Sequence, residues 1–169
     1  MLVIKAQGEL PYKQSSYGLL AEMSYPGIRR VARAITGNDD LAQTVTQEVL
    51  LRVFHGLSKL EDPARYGAWL RKITANACNT LLSREKREKL KRLAFETEMN
   101  SDPAQAVDLD SFDQLVRELS IDDKTIVAFK ILEDMEFKEI AEVIGATNSA
   151  TKMRYYRALD KIKSSNPDI

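Results

Sequence analysis

Apolar residues along the chain recur three and four positions apart over most of its length, the spacing that places them on one face of an α-helix. Ile28, Val31, Ala32 and Ile35 form one stripe, which closes at Gly37. Ala42, Val45, Val49, Val53 and Leu57 form the next, ending near Gly56. A third helix has a legible start. Asp62 can accept a backbone hydrogen bond as a cap, and Pro63 suits a first turn, where a missing N–H costs nothing. Trp69, Leu70, Ile73, Ala77, Leu81 and Leu82 then keep the helical spacing, ahead of the charged run from Arg84 to Arg92. These stripes predict a three-helix core with a basic extension.

The pattern lapses from Glu96 to Asp110, where Ser101, Asp102 and Pro103 sit among acidic residues, and that composition predicts a linker. A second module follows. Ser120, with Asp123 three residues on, makes a capping arrangement ahead of a helix from Thr125 to Leu132. Phe137 to Ala158, FKEIAEVIGATNSATKMRYYRA, then reads as two short helices around a tight turn. Ile140, Ala141, Val143 and Ile144 make the apolar stripe of the first. Gly145 stands where that helix must stop and tolerates a left-handed turn, and Thr147 or Asn148 caps the second. The second helix carries Lys152, Arg154, Arg157, Lys161 and Lys163 against Asp160 alone. A basic helix so placed suits phosphate contacts and base-edge readout in a major groove, as in a helix-turn-helix. The expected fold is all-α, with one small helical domain over residues 1–92, an acidic linker over 93–110 and a helix-turn-helix domain over 111–169.

A length of 169 residues allows one ordinary domain or two small ones. Lys plus Arg number 25 and Asp plus Glu number 25, so a uniformly basic nucleic-acid coat is excluded. The charge is sorted instead. Basic residues dominate from Arg71 to Arg92, every charge from Glu96 to Asp113 is acidic, and the balance is basic again from Lys152 to Lys163. Two DNA-facing surfaces separated by a nonbinding connector have this pattern. Cys78 and His55 are the only residues of their kinds, so neither a disulfide within the chain nor a metal cluster is expected, and a reducing cytoplasmic setting fits. The start MLVIKAQGEL is too short in apolar length for a signal peptide, and no run is long enough to insert in a membrane. No Gly-rich phosphate loop, nucleophile elbow or paired-His helix is present, so the chain is expected to be no enzyme and to use no cofactor.

Three sets of residues carry a family resemblance: Gln47 to Phe54 (QEVLLRVF); Trp69 to Ile73 (WLRKI) with Asn76; and Glu139 to Glu142 (EIAE) with Thr151 to Arg154 (TKMR). In this order and spacing the chain resembles a bacterial extracytoplasmic-function sigma factor of the sigma-70 family, over nearly its whole length. The resemblance implies a promoter-melting region two and a helix-turn-helix region four. It implies as partners promoter DNA and core RNA polymerase, docked through the β′ clamp helices and the β flap, with an anti-sigma factor as the usual control. Capturing unstacked bases of the −10 element calls for aromatics and polar edges beside a cationic track. Lys59, Tyr66, Arg71, Lys72, Asn76 and Asn79 are the implied −10 residues, and the loop from Ser58 to Asp62 is similar to the family loop that pockets a flipped base. Trp69, inside an apolar stripe, is expected to pack in the core. Asn148, Ser149, Lys152, Met153 and Arg154, with Arg157 on phosphate, are the implied −35 residues. Lys152 and Arg154 are the expected sources of sequence preference, because such groups pair best with guanine. Thr151 and Tyr155 stand where the family usually has aliphatics.

The chain departs from the family at the polymerase-docking surface, for which Leu41, Gln43, Thr44, Gln47 and Glu48 are the candidates. Where the family usually carries Asp-Ala-Glu-Asp, this chain has Leu41-Ala42-Gln43-Thr44. Three carboxylates are missing from a surface built on opposite charge, which should weaken docking. A phosphate on Thr44 would add roughly −1.5 to −2 charges at pH 7. Thr44 and Glu48 share a helix face turned away from Val45 and Val49, so its hydroxyl is expected to be accessible. Thr44 is therefore the candidate phosphorylation site for a Ser/Thr protein kinase, with Thr46 second and less exposed. Two other readings compete: a sigma-like adaptor or decoy that binds a regulator without initiating, and an ordinary helix-turn-helix transcription regulator that binds duplex DNA without polymerase.

Overall fold

The computed structural model describes residues 1–10, 15–96 and 119–165, with the side chains of 93–96 outside that description. These residues form seven α-helices: α1 Leu2–Glu9, α2 Ser15–Thr36, α3 Asp39–Gly56, α4 Tyr66–Glu96, α5 Ile121–Leu132, α6 Phe137–Ile144 and α7 Asn148–Ser165. Two 3-10 turns, Leu57–Lys59 and Pro63–Arg65, lie between α3 and α4.

The predicted stripes of α2 and α3 are seams of the first module: Ile28, Val31 and Ile35 are buried in one cluster with Val45, Val49 and Val53. On α4, Ala77 of the predicted stripe is buried there together with Ala75 and Cys78, which lay outside it, while Trp69, Leu70, Ile73, Leu81 and Leu82 pack partly buried against the cluster. Asn38 caps α3 by accepting from the Leu41 N–H at 2.8 Å, with Asp39 and Asp40 in the first turn, where the helix dipole favours negative charge. Asp62 serves as the predicted cap, accepting from the Ala64 N–H at 2.9 Å, but the turn that Pro63 opens is the 3-10 turn Pro63–Arg65, and α4 itself begins after it at Tyr66. The end of α3 and the start of α4 approach so closely that a Cβ on Gly56 would lie 2.9 Å from the Trp69 ring. Helix α4 continues unbroken through the basic run to Glu96. The first residues assigned to the linker, 93–96, are thus helical, and residues 97–110 lie outside the described part. Helix α1 was not expected from the sequence; it packs on α2 and on the turn that follows α3.

In the second module Ser120 Oγ accepts from the Asp123 N–H at 3.2 Å and donates to Asp123 Oδ2 at 2.6 Å. The cap starts α5 at Ile121, four residues ahead of the predicted start. A capping box joins Glu136 and Glu139 at the head of α6, the Glu136 N–H reaching Glu139 Oε2 at 2.9 Å. Gly145 ends α6 in the left-handed region, φ 71° and ψ 35°.

The two modules share a core, an arrangement the two-domain pattern with a flexible linker did not predict. Five consecutive residues of α5, Thr125 to Phe129, are buried, so this helix is covered on more than one side. Val127 packs with Ala158 of α7, whereas Ile126, Ala128 and Phe129 join the cluster of Ile28, Val31 and Ala75. Arg30 of α2 closes the rim, donating to Leu132 O at 3.1 Å and pairing with Glu133 at 2.7 Å.

Candidate nucleic-acid interface

Helix α7 is divided between an inward and an outward face. Thr147 Oγ1 accepts from the Ala150 N–H at 3.2 Å, so of the two candidate caps Thr147 serves and Asn148 is the first helical residue. Thr151 and Ala158 are buried, and Thr151 Oγ1 donates to Thr147 O at 2.9 Å, which satisfies a hydroxyl where an aliphatic was usual. Tyr155 meets Phe137 edge to face, ring centroids 5.3 Å apart, and holds α7 against α6. Asn148, Ser149, Lys152, Met153 and Arg157 are exposed. They form the outward surface together with Lys161 and Lys163.

Arg154 is placed differently from the expectation that it reads bases beside Lys152. Its Nε donates to Asp123 Oδ1 at 2.8 Å, one terminal nitrogen reaches Asp122 Oδ2 at 3.2 Å, and the other reaches Ser120 Oγ at 3.3 Å. The guanidinium fork is committed to the head of α5, because that helix start gathers two carboxylates and a hydroxyl within its reach. The sequence signal was the pair Asp122-Asp123 behind a Ser cap, but a contact 31 residues away left no local trace.

The −10 candidates lie on the α3–α4 connection and the first half of α4, on two sides of the helix. Lys59 is exposed in the turn after α3, and Lys72 and Asn76 are exposed one helical turn apart. Tyr66 is half-buried with its hydroxyl 3.0 Å from that of Ser24; burial raises its pKa, against the opposing effect of that hydrogen bond. Arg71 and Asn79 are also half-buried, and Arg71 Nε and Asn79 Oδ1 are buried with no hydrogen-bond partner among the described residues. Trp69 is partly buried against both the shared core and the smaller cluster of Ala6, Leu20 and Leu57, with the Tyr66 ring 6.2 Å away. A cleft of about 320 Å³ separates the modules here, with Trp69, Arg71 and Lys72 on one side and Met135, Glu139 and Glu142 on the other. The acidic side of α6 thus faces cations of α4, a juxtaposition that module-by-module reading did not foresee.

On α3, Thr44, Gln47 and Glu48 are exposed, while Leu41 and Gln43 are half-buried. Gln43 Oε1 accepts from Tyr25 at 2.9 Å and also from Arg29, which pairs with Asp39 at 2.6 Å. Thr44 Oγ1 donates to Asp40 O at 2.9 Å, and Glu48 pairs with Arg52 at 2.7 Å. Thr46 is fully buried, its hydroxyl donating to Ala42 O at 2.7 Å. Among the described residues no group of three or more His, Cys, Asp or Glu side chains is placed to hold a metal ion, and no helix is long and apolar enough to cross a membrane.

Family models for sigma-70 region 2 and sigma-70 region 4 match residues 20–88 and 109–162. RNA polymerase sigma factor SigV of Bacillus subtilis is 26% identical, over 77% of this chain and 78% of that protein. The probable RNA polymerase sigma factor RfaY of Xanthomonas campestris is 24% identical over 92% of this chain, which spans 42% of its length. Among solved structures, CnrH in complex with the cytosolic domain of CnrY superimposes with a TM-score of 0.71 at 21% identity, covering 99% of this chain and 97% of that one. The sigma factor RpoE in complex with the anti-sigma factor NepR from Bartonella quintana gives 0.69 at 18% identity, covering 90% and 97%. At these identities the structures speak for the fold.

Proposed function

The chain belongs to the sigma-70 family as an extracytoplasmic-function sigma factor, an alternative factor that directs transcription, and from that premise we propose how its surfaces divide the work. Lys152 reads bases of the −35 element, with Asn148, Ser149 and Met153 beside it and Arg157 on phosphate, while Arg154 holds the helix that presents them. Lys59, Tyr66, Arg71, Lys72, Asn76 and Asn79 serve the −10 element and strand opening. Leu41, Gln43, Thr44, Gln47 and Glu48 face the β′ clamp helices, and the second module meets the β flap. The protein is a dissociable, non-catalytic subunit that works with polymerase in the cytoplasm, and an anti-sigma factor is a natural partner. What carries this reading is the tandem of two sigma modules, each presenting an exposed cationic helix surface. Run-off transcription with core polymerase on host promoters tests it. Promoter-dependent initiation is expected, with its preference at one −35 position weakened in Lys152→Ala. Silence despite measurable polymerase or regulator binding would instead favour the sigma-like adaptor, and tight duplex binding without polymerase the ordinary regulator.

The exposure of Thr44, beside a surface short of three family carboxylates, favours a second element of control. Phosphorylation of Thr44 by a Ser/Thr kinase restores negative charge to the docking face and strengthens polymerase binding. Transcription should rise in a kinase-treated sample, and in cells Thr44→Ala should lower it. Equal transcription by Thr44→Ala and the unaltered chain would discard the switch and leave the sigma assignment standing.

A further inference from the structure

Helix α1 lies ahead of residue 20, where the match to region 2 begins. Its Ala6 is fully buried in a small apolar cluster with Leu10, Leu20 and Leu57, distinct from the main core. Leu60, Tyr66 and Trp69 pack on the same cluster. One polar side chain of α1 crosses to the loop above it. Gln7 Nε2 donates to Leu57 O at 2.9 Å and to Leu60 O at 2.7 Å, contacts 50 and 53 residues away in sequence. The two carbonyls bracket Ser58 and Lys59, and the same turn is closed internally by the Leu60 N–H on Leu57 O at 3.1 Å. A carboxamide has two N–H groups on one nitrogen, so Gln7 can hold both ends of the turn at once. A methionine of similar length offers none, and a glutamate would set a carboxylate against two carbonyl oxygens.

We infer that Gln7 is a positioning residue for −10 recognition: it clamps the Leu57–Leu60 turn, whose Leu60 packs with Tyr66 and Trp69, and so fixes where the turn presents the exposed Lys59. This rests on the proposed role of that loop at the −10 element. The side chain touches no base itself. Its effect is therefore on which −10 base is accepted, with −35 preference and polymerase affinity left alone.

The experiment is run-off transcription by the full chain with core polymerase, over promoters carrying each base at every −10 position and, separately, at every −35 position. Gln7→Met and Gln7→Glu are each compared with the unaltered chain and with Ile4→Ala, an exposed change on the same helix. Both Gln7 variants should lower the ratio between preferred and disfavoured bases at one −10 position by about threefold or more, corresponding to a change of at least about 0.6 kcal/mol. Their −35 ratios and polymerase affinity should match those of the unaltered chain, and amides of residues 58–61 should exchange faster with deuterium. Unchanged −10 ratios in a folded Gln7 variant would overturn the inference, as would a uniform fall over all promoters, which is the mark of a merely structural role. Lys59→Ala separates the two levels. If it shifts −10 preference and the Gln7 variants do not, the clamp alone fails; if Lys59→Ala shifts nothing, the loop reading fails and the clamp with it.

Discussion

The guanidinium of Arg154 sits 2.8 Å from Asp123 and 3.2 Å from Asp122, while Lys152, two residues earlier, projects into solvent. Arg154→Ala is expected to cost about 1 kcal/mol, since the pairs are part-exposed, and to lower the melting temperature by about 2–4 °C. Lys152→Ala should leave melting unchanged but lose about 1–3 kcal/mol of base discrimination at one −35 position. Thermal melts beside transcription over −35 variants separate the two; a reversed pattern would mean that Arg154 leaves α5 to read DNA. A second residue-scale effect concerns pH. Burial pushes the Cys78 thiol from 9.0 up to about 12 and also raises the pKa of Tyr17 and Tyr66 above 10.0. Each group keeps its proton in the fold to a higher pH than in the unfolded chain. Above about pH 9 the unfolded state therefore binds fewer protons, and stability falls as pH rises, by up to about 1.4 kcal/mol per pH unit for each group. Urea midpoints at pH 8 and 10.5 should show this fall, and it should be shallower in Cys78→Ala. Equal slopes in the two proteins would remove Cys78 from the account. The native thiol should also resist alkylation at pH 8.

The turn between α6 and α7 depends on one backbone conformation. Gly145 holds φ 71°, and a Cβ added there would meet no atom within 4 Å, so the cost of Gly145→Ala is backbone strain rather than a clash. About 1 kcal/mol of destabilisation is expected, with weaker −35 binding, because α7 is aimed by this turn and by Tyr155 on Phe137. A melting curve and −35 discrimination measured together check it; unchanged values in both would show that the turn relaxes without strain. This turn was legible in the sequence because Gly145 follows a strong apolar stripe, and the Asp62 and Ser120 caps were legible for the same local reason. Helix α1 was not. It has eight residues and no side-chain cap, and so short a helix forms only through packing against its neighbours. Nor was the shared core. The apolar run from Ile126 to Phe129 shows that α5 is buried, but a periodicity cannot say which helix buries it. The fate of Arg154 was hidden too, since a basic residue on a basic helix reads as DNA-facing until its partners on another helix are placed.

The compact arrangement sets a geometric condition on function. Two promoter elements centred about 25 base pairs apart, as their names state, are separated by roughly 85 Å of B-form DNA at about 3.4 Å per base pair. Helix α4, with 31 residues, is only about 46 Å long. Here α6 stands across one cleft from Arg71 and Lys72, with Phe129 sunk among residues of α2. The helix-turn-helix module therefore cannot reach a −35 element while it remains docked beside the residues assigned to −10. Engaging both requires the contact between α2 and α5 to open, exposing Phe129 and Ile28 unless polymerase covers them. The ion pair of Arg30 with Glu133 marks a place to hold it shut. Arg30→Cys combined with Glu133→Cys, joined by a short cleavable bismaleimide, should bind polymerase yet fail to initiate from a promoter with both elements. Cleaving the linker should restore initiation, and the double variant without linker should be active throughout. Cys78, buried and protonated, does not compete for the reagent. Full activity of the linked protein would mean that the packed arrangement itself engages promoters, and the separation of the modules would then have no part in initiation.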